Sequence, residues 1–205
     1  MIRLDASAVL LQWGAGMVFF WWLATRRGEV SRGFAWLVLG TAAVLLGGGT
    51  ALAIGTRSLA IAGIGTGGPV ALAVARNLAG AAFLGSVTDA MLLGHWYLVQ
   101  PRMSREPIRR LTRAVALTWP FEVAVFLLPT GMLSVFTGRI NDGYGGLLGW
   151  FWVACVVATI ALTGATYLAL RERGYAAVMA ATGLLYLAIL TASGTDLVAR
   201  AILSG

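Results

Sequence analysis

The chain contains no lysine, a single histidine and a single cysteine, and only 11% of its 205 residues are charged. Soluble proteins carry about 25% charged residues, so this composition excludes an ordinary soluble domain. The one cysteine, Cys155, excludes an intramolecular disulfide, and the cysteine and histidine spacings of common zinc sites are absent. All fifteen cationic side chains are therefore arginines, which with eight acidic residues give a net charge of +7.

Apolar residues make up most of what is present, with 59% hydrophobic residues and a mean hydropathy of +0.84. Apolar runs of about 20 residues recur along the chain, and each is long enough to cross a hydrocarbon core of about 30 Å as a helix. We predict an all-α, polytopic membrane helical bundle of about six transmembrane helices, in one integral membrane domain covering residues 1–205. The predicted spans are 7–25, 33–54, 76–99, 114–135, 147–170 and 175–197.

The arginines are distributed unevenly between the two sides of these spans. The first, third and fifth connections hold Arg26, Arg27, Arg32, Arg102, Arg105, Arg109, Arg110, Arg113, Arg171 and Arg173, whereas the other side holds Arg3, Arg57, Arg76, Arg139 and Arg200. Cytoplasmic loops are enriched in cationic residues, so the asymmetry predicts a bacterial cell (inner) membrane protein with both termini on the outer side. Because these arginines lie at the ends of spans, we predict that the protein interacts with the lipid bilayer and does not bind nucleic acid.

Ionisable side chains inside the predicted spans are the candidate functional residues. Such groups cost about 2.5–3.5 kcal/mol each at the centre of a membrane helix, so they normally have partners. Measured from the cytoplasmic end at 1.5 Å per residue, His95 is predicted at ~8 Å depth, Glu122 at ~12 Å and Asp89 at ~16 Å. His95 and Asp89 lie about 120° apart on one helix and cannot touch. The predicted intramembrane polar site, in the cytoplasmic half, consists of Asp89, His95, Trp96, Tyr97 and Glu122.

The residue types of this site favour some ligands over others. A histidine hydrogen bond beside Trp96 and Tyr97 suits a quinone headgroup, although these aromatics are equally typical of an interfacial belt. Haem is disfavoured because one histidine cannot supply two axial ligands within a monomer, and no metal-binding spacing is present. Ser86 and Ser104 lack a nucleophile motif, so no catalytic residue is predicted and an enzyme is the less favoured class.

Three functional hypotheses remain open from the sequence. The first is a membrane subunit that handles protons or quinone through this polar site, working with other membrane subunits. The second is a small-solute transporter or channel, because Pro120 and Pro129 would permit helix irregularities of the kind transporters use. The third is a non-catalytic scaffold or assembly protein whose polar groups only hold helices together.

Two further predictions concern packing. The glycine cluster Gly47, Gly48 and Gly49 is predicted to lie against another helix, because glycines allow close backbone approach in membranes. Arg76 is predicted at the interface on the side opposite the arginine-rich connections, where the third span begins.

Overall fold

The computed structural model describes residues 5–26, 28, 30–55, 70–100 and 103–203 and consists of helices joined by short connections. The helices are α1 (Ala6–Thr25), α2 (Arg32–Gly55), α3 (Val70–Val99), α4 (Glu106–Leu127), the short α5 (Leu133–Phe136), α6 (Leu147–Ala169) and α7 (Tyr175–Leu203). Within these ranges there is no β-strand. The predicted all-α membrane bundle is confirmed, since α1, α2, α3, α6 and α7 are each long and apolar enough to cross a membrane.

The fourth helix differs from its prediction in both bounds. It begins at Glu106 rather than at 114, and it ends at Leu127 rather than at 135. Proline is well tolerated in the first turn of a helix, so Pro107 starts α4 instead of keeping the preceding segment extended. Pro129 has no amide hydrogen with which to continue the helix beyond Leu128. The whole helix is therefore displaced by about two turns relative to the sequence-based span, and a total of six spans stays a prediction.

Helix α3 is the central element of the bundle. It packs against α1, α4 and α7, while α2 lies mainly on α1, and α6 packs on α7 and α4. The α1–α3 contact is very close, because a methyl group on Gly16 would lie 1.8 Å from the carbonyl oxygen of Ala81. A methyl group on Gly85 would lie 2.3 Å from the carbonyl carbon of Gly16. Small residues let membrane helices approach in this way.

The predicted glycine contact on α2 is wrong for Gly47. A methyl group on Gly47 would meet nothing within 4 Å, whereas one on Gly48 would be in ordinary contact with Leu10 of α1 at 3.9 Å. Gly49 alone packs tightly, since its methyl group would lie 2.9 Å from Leu11. Successive helical residues point about 100° apart, so three consecutive glycines cannot all face one neighbour.

Three arginine-rich connections meet at one end of the bundle. Arg109 donates to the carbonyl oxygen of Leu170 at 2.6 Å, and Arg105 donates to those of Glu172 and Arg173. These carbonyls follow the C-terminus of α6, where helix geometry leaves them without partners. The Trp96 indole donates to Ser31, which joins the first connection to the same end. We call this the arginine-rich end; of the arginines counted above, Arg3, Arg27, Arg57 and Arg102 lie outside the described residues.

At the opposite end, Asp142 organises the turn that begins α6. Its carboxylate accepts hydrogen bonds from the backbone amides of Tyr144 at 2.9 Å, Gly146 at 2.8 Å and Leu148 at 3.0 Å. Asp142 is 2% exposed, although the adjacent loop residues 141 and 143–145 are exposed. These amide donors, with that of Gly146 contributing most, hold the pKa of the Asp142 carboxyl below its ordinary value.

We expect Asp142→Asn to lower the melting temperature of the detergent-solubilised protein at neutral pH. Because the folded pKa is below the unfolded one, the carboxylate stabilises the fold above the ordinary aspartate pKa of about 4. That stabilisation is lost as the pH falls through the folded pKa. The difference in melting temperature between wild type and variant should therefore shrink in acid, and a difference that widens in acid would contradict this role.

Candidate functional site

The interior of the bundle contains an ion pair within the last two turns of α7. The Arg200 Nε lies 2.8 Å and 2.9 Å from the two carboxylate oxygens of Asp196, and both side chains are almost completely buried. The remaining guanidinium nitrogens donate to the Asn77 side-chain oxygen and to the Arg76 carbonyl oxygen, each at 2.8 Å. A buried arginine is stable only when its donors are satisfied in this way.

Helices α1 and α3 complete the surroundings of this ion pair. The Gln12 side-chain amide donates to the second carboxylate oxygen of Asp196 at 3.1 Å. Gly80 of α3 leaves the necessary space, because a methyl group there would lie 2.7 Å from Asp196 Oδ1 and 2.8 Å from Arg200 Nη2. The ion pair is therefore enclosed by side chains and backbone from three helices.

Glu122 of α4 brings a second carboxyl to the same place. Its side chain is 0% exposed, and its carboxyl lies close enough to the Asp196 carboxyl for the two to interact electrostatically. Neither Glu122 oxygen has a hydrogen-bond donor among the residues that the structure describes. Two ionised carboxylates cannot bond to each other, so a hydrogen bond between Glu122 and Asp196 requires a proton on one of them. We call these two residues the carboxyl pair.

Arg76 fixes the position of the helix that carries Glu122. Its guanidinium donates to the carbonyl oxygens of Val125 at 3.0 Å and Leu128 at 2.8 Å, at the C-terminus of α4. The Phe126 ring lies 5.9 Å from the Arg76 guanidinium and 5.5 Å from that of Arg200. The Arg76 side chain is buried at 2% exposure and caps α4, while its predicted depth at the membrane interface stays a prediction.

These residues form one group, which we call the polar cluster, at the end of the bundle away from the arginine-rich end. Its members are Gln12, Arg76, Asn77, Glu122, Asp196 and Arg200. Gln12 and Arg76 lie in the second turns of α1 and α3, and Asp196 and Arg200 lie in the last turns of α7. The sequence identified only Glu122 as a member. An aspartate and an arginine four residues apart within an apolar run was the signal that would have found the rest.

The structure does not bring the predicted site residues together. His95 lies on the bundle surface near the arginine-rich end, where its Nδ1 is 3.2 Å from the Tyr186 hydroxyl. Tyr186 precedes Asp196 by ten residues on α7, or about 15 Å along the helix. The predicted placement of Glu122 in the same half as His95 is wrong, because the earlier start of α4 moves Glu122 by about 12 Å toward the opposite end.

The aromatic residues that follow His95 face different surroundings. The Trp96 indole nitrogen donates to Ser31 at 2.9 Å, and its ring lies against Gly33. Tyr97 is buried in the same hydrophobic core as Phe34. His95, Trp96 and Tyr97 therefore do not line one common pocket, and the quinone prediction gains no support from their arrangement.

Asp89 occupies a third position, between the polar cluster and His95. It follows Gly80 by nine residues on α3, or about 13 Å along the helix. The side chain is 0% exposed, and neither carboxyl oxygen has a hydrogen-bond partner among the described residues. The neighbouring Thr88 hydroxyl instead accepts from the Trp13 indole at 2.7 Å.

The groups that converge in the polar cluster are two carboxyls, two guanidiniums and two amides. Such a set can hold and exchange a proton, since the carboxyls accept one and the amides and arginines keep the remaining charge compensated. Comparison of the chain with protein-family models, with curated proteins and with solved structures finds no match. The chemistry is therefore inferred from the geometry of the cluster alone.

Proposed function

We propose that this protein moves protons within a bacterial inner membrane, using the carboxyl pair Glu122 and Asp196 as its proton-binding site. The proposal keeps the sequence-based topology of six spans with both termini outside, and it keeps other membrane subunits as partners. It moves the site from the cytoplasmic half of the membrane to the half away from the arginine-rich end. Quinone is not part of it.

One observation carries this proposal: two buried carboxyls lie side by side, and Arg200 is bonded to only one of them. Two unit charges 4 Å apart repel by about 4 kcal/mol at an effective dielectric constant of 20. Arg200 is bonded to Asp196, and Arg76 donates to backbone carbonyls at the end of α4, so repulsion between the two carboxyls favours one proton shared by the pair. A proton shared by two carboxyls can be released without leaving an isolated buried charge, because Arg200, Gln12 and Asn77 remain around the pair.

The alternative of a purely structural polar cluster makes a different prediction. A carboxyl that only holds helices together can be replaced by an amide of nearly the same shape, provided that its hydrogen bond is kept. Glutamine at 122 can still donate to Asp196, but it cannot gain or lose a proton. The same substitution is therefore silent for a scaffold and inactivating for a proton carrier.

We expect Glu122→Gln to fold normally and to lose proton movement. Purified protein in liposomes that contain a pH-sensitive dye would be subjected to an imposed membrane potential, and the initial rate of internal pH change would be measured. A positioned proton-transfer group contributes about 10²–10⁴-fold to enzyme catalysis, and by this measure we expect a drop of at least about tenfold. Melting temperature in detergent would be measured on the same samples.

The matched control is Glu106→Gln, which makes the same chemical change on the same helix. Glu106 lies in the first turn of α4 and is partly exposed at the arginine-rich end, where it forms a loose ion pair with Arg113. Its variant should move protons at the wild-type rate. Equal rates for wild type and Glu122→Gln, or a wild-type rate no higher than that of empty liposomes, would overturn the proposal and leave the scaffold reading.

A further inference from the structure

Two exposed arginines share one tyrosine at the arginine-rich end of the bundle. The guanidinium groups of Arg113 on α4 and Arg171 after α6 lie 5.9 Å and 5.2 Å from the centroid of the Tyr167 ring. Both guanidiniums are also close enough to the Tyr167 hydroxyl to interact with it electrostatically. Two positive charges are thus held around one uncharged side chain where α4 packs on α6, and an anion between them would relieve their repulsion.

These two arginines differ from their neighbours in how their donors are used. Arg105 and Arg109 donate to backbone carbonyl oxygens that follow α6. Arg113 has a contact of 3.8 Å with the partly exposed Glu106, and no carboxylate of the described residues forms an ion pair with Arg171. A guanidinium has five N–H donors and a hydroxyl oxygen accepts two hydrogen bonds at most, so most of these donors bind groups outside the described part of the chain.

Exposed apolar surface continues from each of the two arginines along its helix. Leu117 and Phe121 follow the α4 arginine by four and eight residues, and both side chains are 68% exposed. On α6, Leu168 and Gly164 precede the second arginine by three and seven residues and are exposed as well. Residues at these spacings share one face of a helix. Each face therefore has a cationic group at the end of the bundle and an apolar surface below it, which matches the polarity of a phospholipid.

We propose that Arg113, Tyr167 and Arg171 bind the phosphate group of an anionic phospholipid, whose acyl chains lie along the exposed faces of α4 and α6. Residues 105–113 and 171–173 contain six arginines and two glutamates, so a headgroup with a net negative charge is favoured over a zwitterionic one. This site is separate from the proton-binding site, because the polar cluster lies at the opposite end of the bundle.

The three side chains have the hydrogen-bonding groups that a phosphodiester requires. Its two unesterified oxygens share one negative charge, and the planar guanidinium of arginine suits such oxygens. The Tyr167 hydroxyl can accept from a guanidinium while its own hydrogen is donated to a phosphate oxygen. A phosphate held by Arg113 and Arg171 together would join α4 to the connection after α6, and no covalent bond is made or broken.

The test is the binding of defined lipids to the purified whole chain in an uncharged detergent. Phosphatidylglycerol and phosphatidylcholine would be titrated separately, and the lipid-bound fraction would be measured by native mass spectrometry. We expect phosphatidylglycerol to bind more tightly. Because each arginine near an anionic lipid contributes about fivefold, Arg113→Gln combined with Arg171→Gln should weaken this binding at least about tenfold. Tyr167→Phe keeps the ring, removes the hydroxyl and should weaken it about two- to tenfold.

The matched control combines Arg32→Gln with Arg173→Gln. These arginines are exposed at the same end, so the control removes the same charge without changing either arginine beside Tyr167. It should retain most of the affinity for phosphatidylglycerol. Equal weakening by the two double variants would indicate a general attraction of charges and would overturn the site, as would equal binding of the two lipids by wild type.

Inorganic phosphate distinguishes a lipid from a free anion as the occupant. It supplies phosphate oxygens without acyl chains, so an excess at constant ionic strength should not displace phosphatidylglycerol. Displacement by phosphate would overturn the assignment to a lipid. None of these binding results depends on proton movement, so they can fail while the proposed function stands, and the reverse also holds.

Discussion

Gly85→Ala should be among the most destabilising single-methyl changes in this protein. The added methyl group would lie 2.3 Å from the carbonyl carbon and 2.6 Å from the Cα atom of Gly16. These are backbone atoms of a packed helix, so the clash cannot be relieved by rotating a side chain. Overpacking of a close-packed interior typically costs about 1–3 kcal/mol, and a clash with backbone on a central helix belongs at or above the upper end of that range.

The matched control for this change is Gly183→Ala on α7. A methyl group at Gly183 would meet nothing within 4 Å, and alanine favours a helix by up to about 1 kcal/mol relative to glycine. This variant should melt at or above the wild-type temperature in detergent, whereas Gly85→Ala should melt well below it. If the two variants melted alike, α1 and α3 would not be in backbone contact at Gly16.

Arg200→Met should produce the other large loss of stability. It removes the guanidinium that is bonded to Asp196 and leaves the buried carboxylate of Asp196 without that partner. Removing one member of a buried ion pair typically costs about 3–5 kcal/mol, because the remaining charge is left uncompensated. Unfolding in detergent, followed by loss of helical circular dichroism, would measure the effect.

A second substitution separates the cost of the broken pair from the cost of the lost packing. Asp196→Leu combined with Arg200→Met removes both charges, and apolar replacement of a whole buried pair is often neutral or stabilising. The double variant should therefore be more stable than Arg200→Met alone. It should also move no protons, because half of the carboxyl pair is gone. If the double variant were less stable than Arg200→Met, the loss of stability in the single variant could not be attributed to the unpaired charge of Asp196.

These results would also show which residues of the polar cluster contribute to stability and which contribute to proton movement. Arg76 and Arg200 hold α4 and α7 in place through backbone carbonyls, whereas Glu122 makes no bond to the backbone of the described residues. The arginines are thus expected to matter for folding, and Glu122 for exchange. A carboxyl placed beside an ion pair but outside it can change protonation without dissolving the structure that holds it.

The sequence predicted the position of Glu122 in the membrane poorly because one helix boundary was misplaced. The segment from Pro101 to Arg113 contains two prolines and five arginines, which favour an exposed turn when they are judged locally. In the structure, Arg105 and Arg109 instead bind carbonyl groups after α6, and α4 already begins at Glu106. Those partners are more than 60 residues away in the chain, so no local pattern could have indicated them.

The sequence by itself determined the helical membrane character, the meeting of the arginine-rich connections at one end, and the presence of Asp89 and Glu122 within helices. Hydropathy and charge are local properties, so they can be evaluated for each helix without knowing which helices it contacts. Only the tertiary structure decided that Glu122 faces Asp196, that Arg76 and Arg200 are buried, and that His95 stands apart. Those outcomes depend on the rotation and register of each helix, which are set by close contacts such as that of Gly16 with Gly85 between distant parts of the chain.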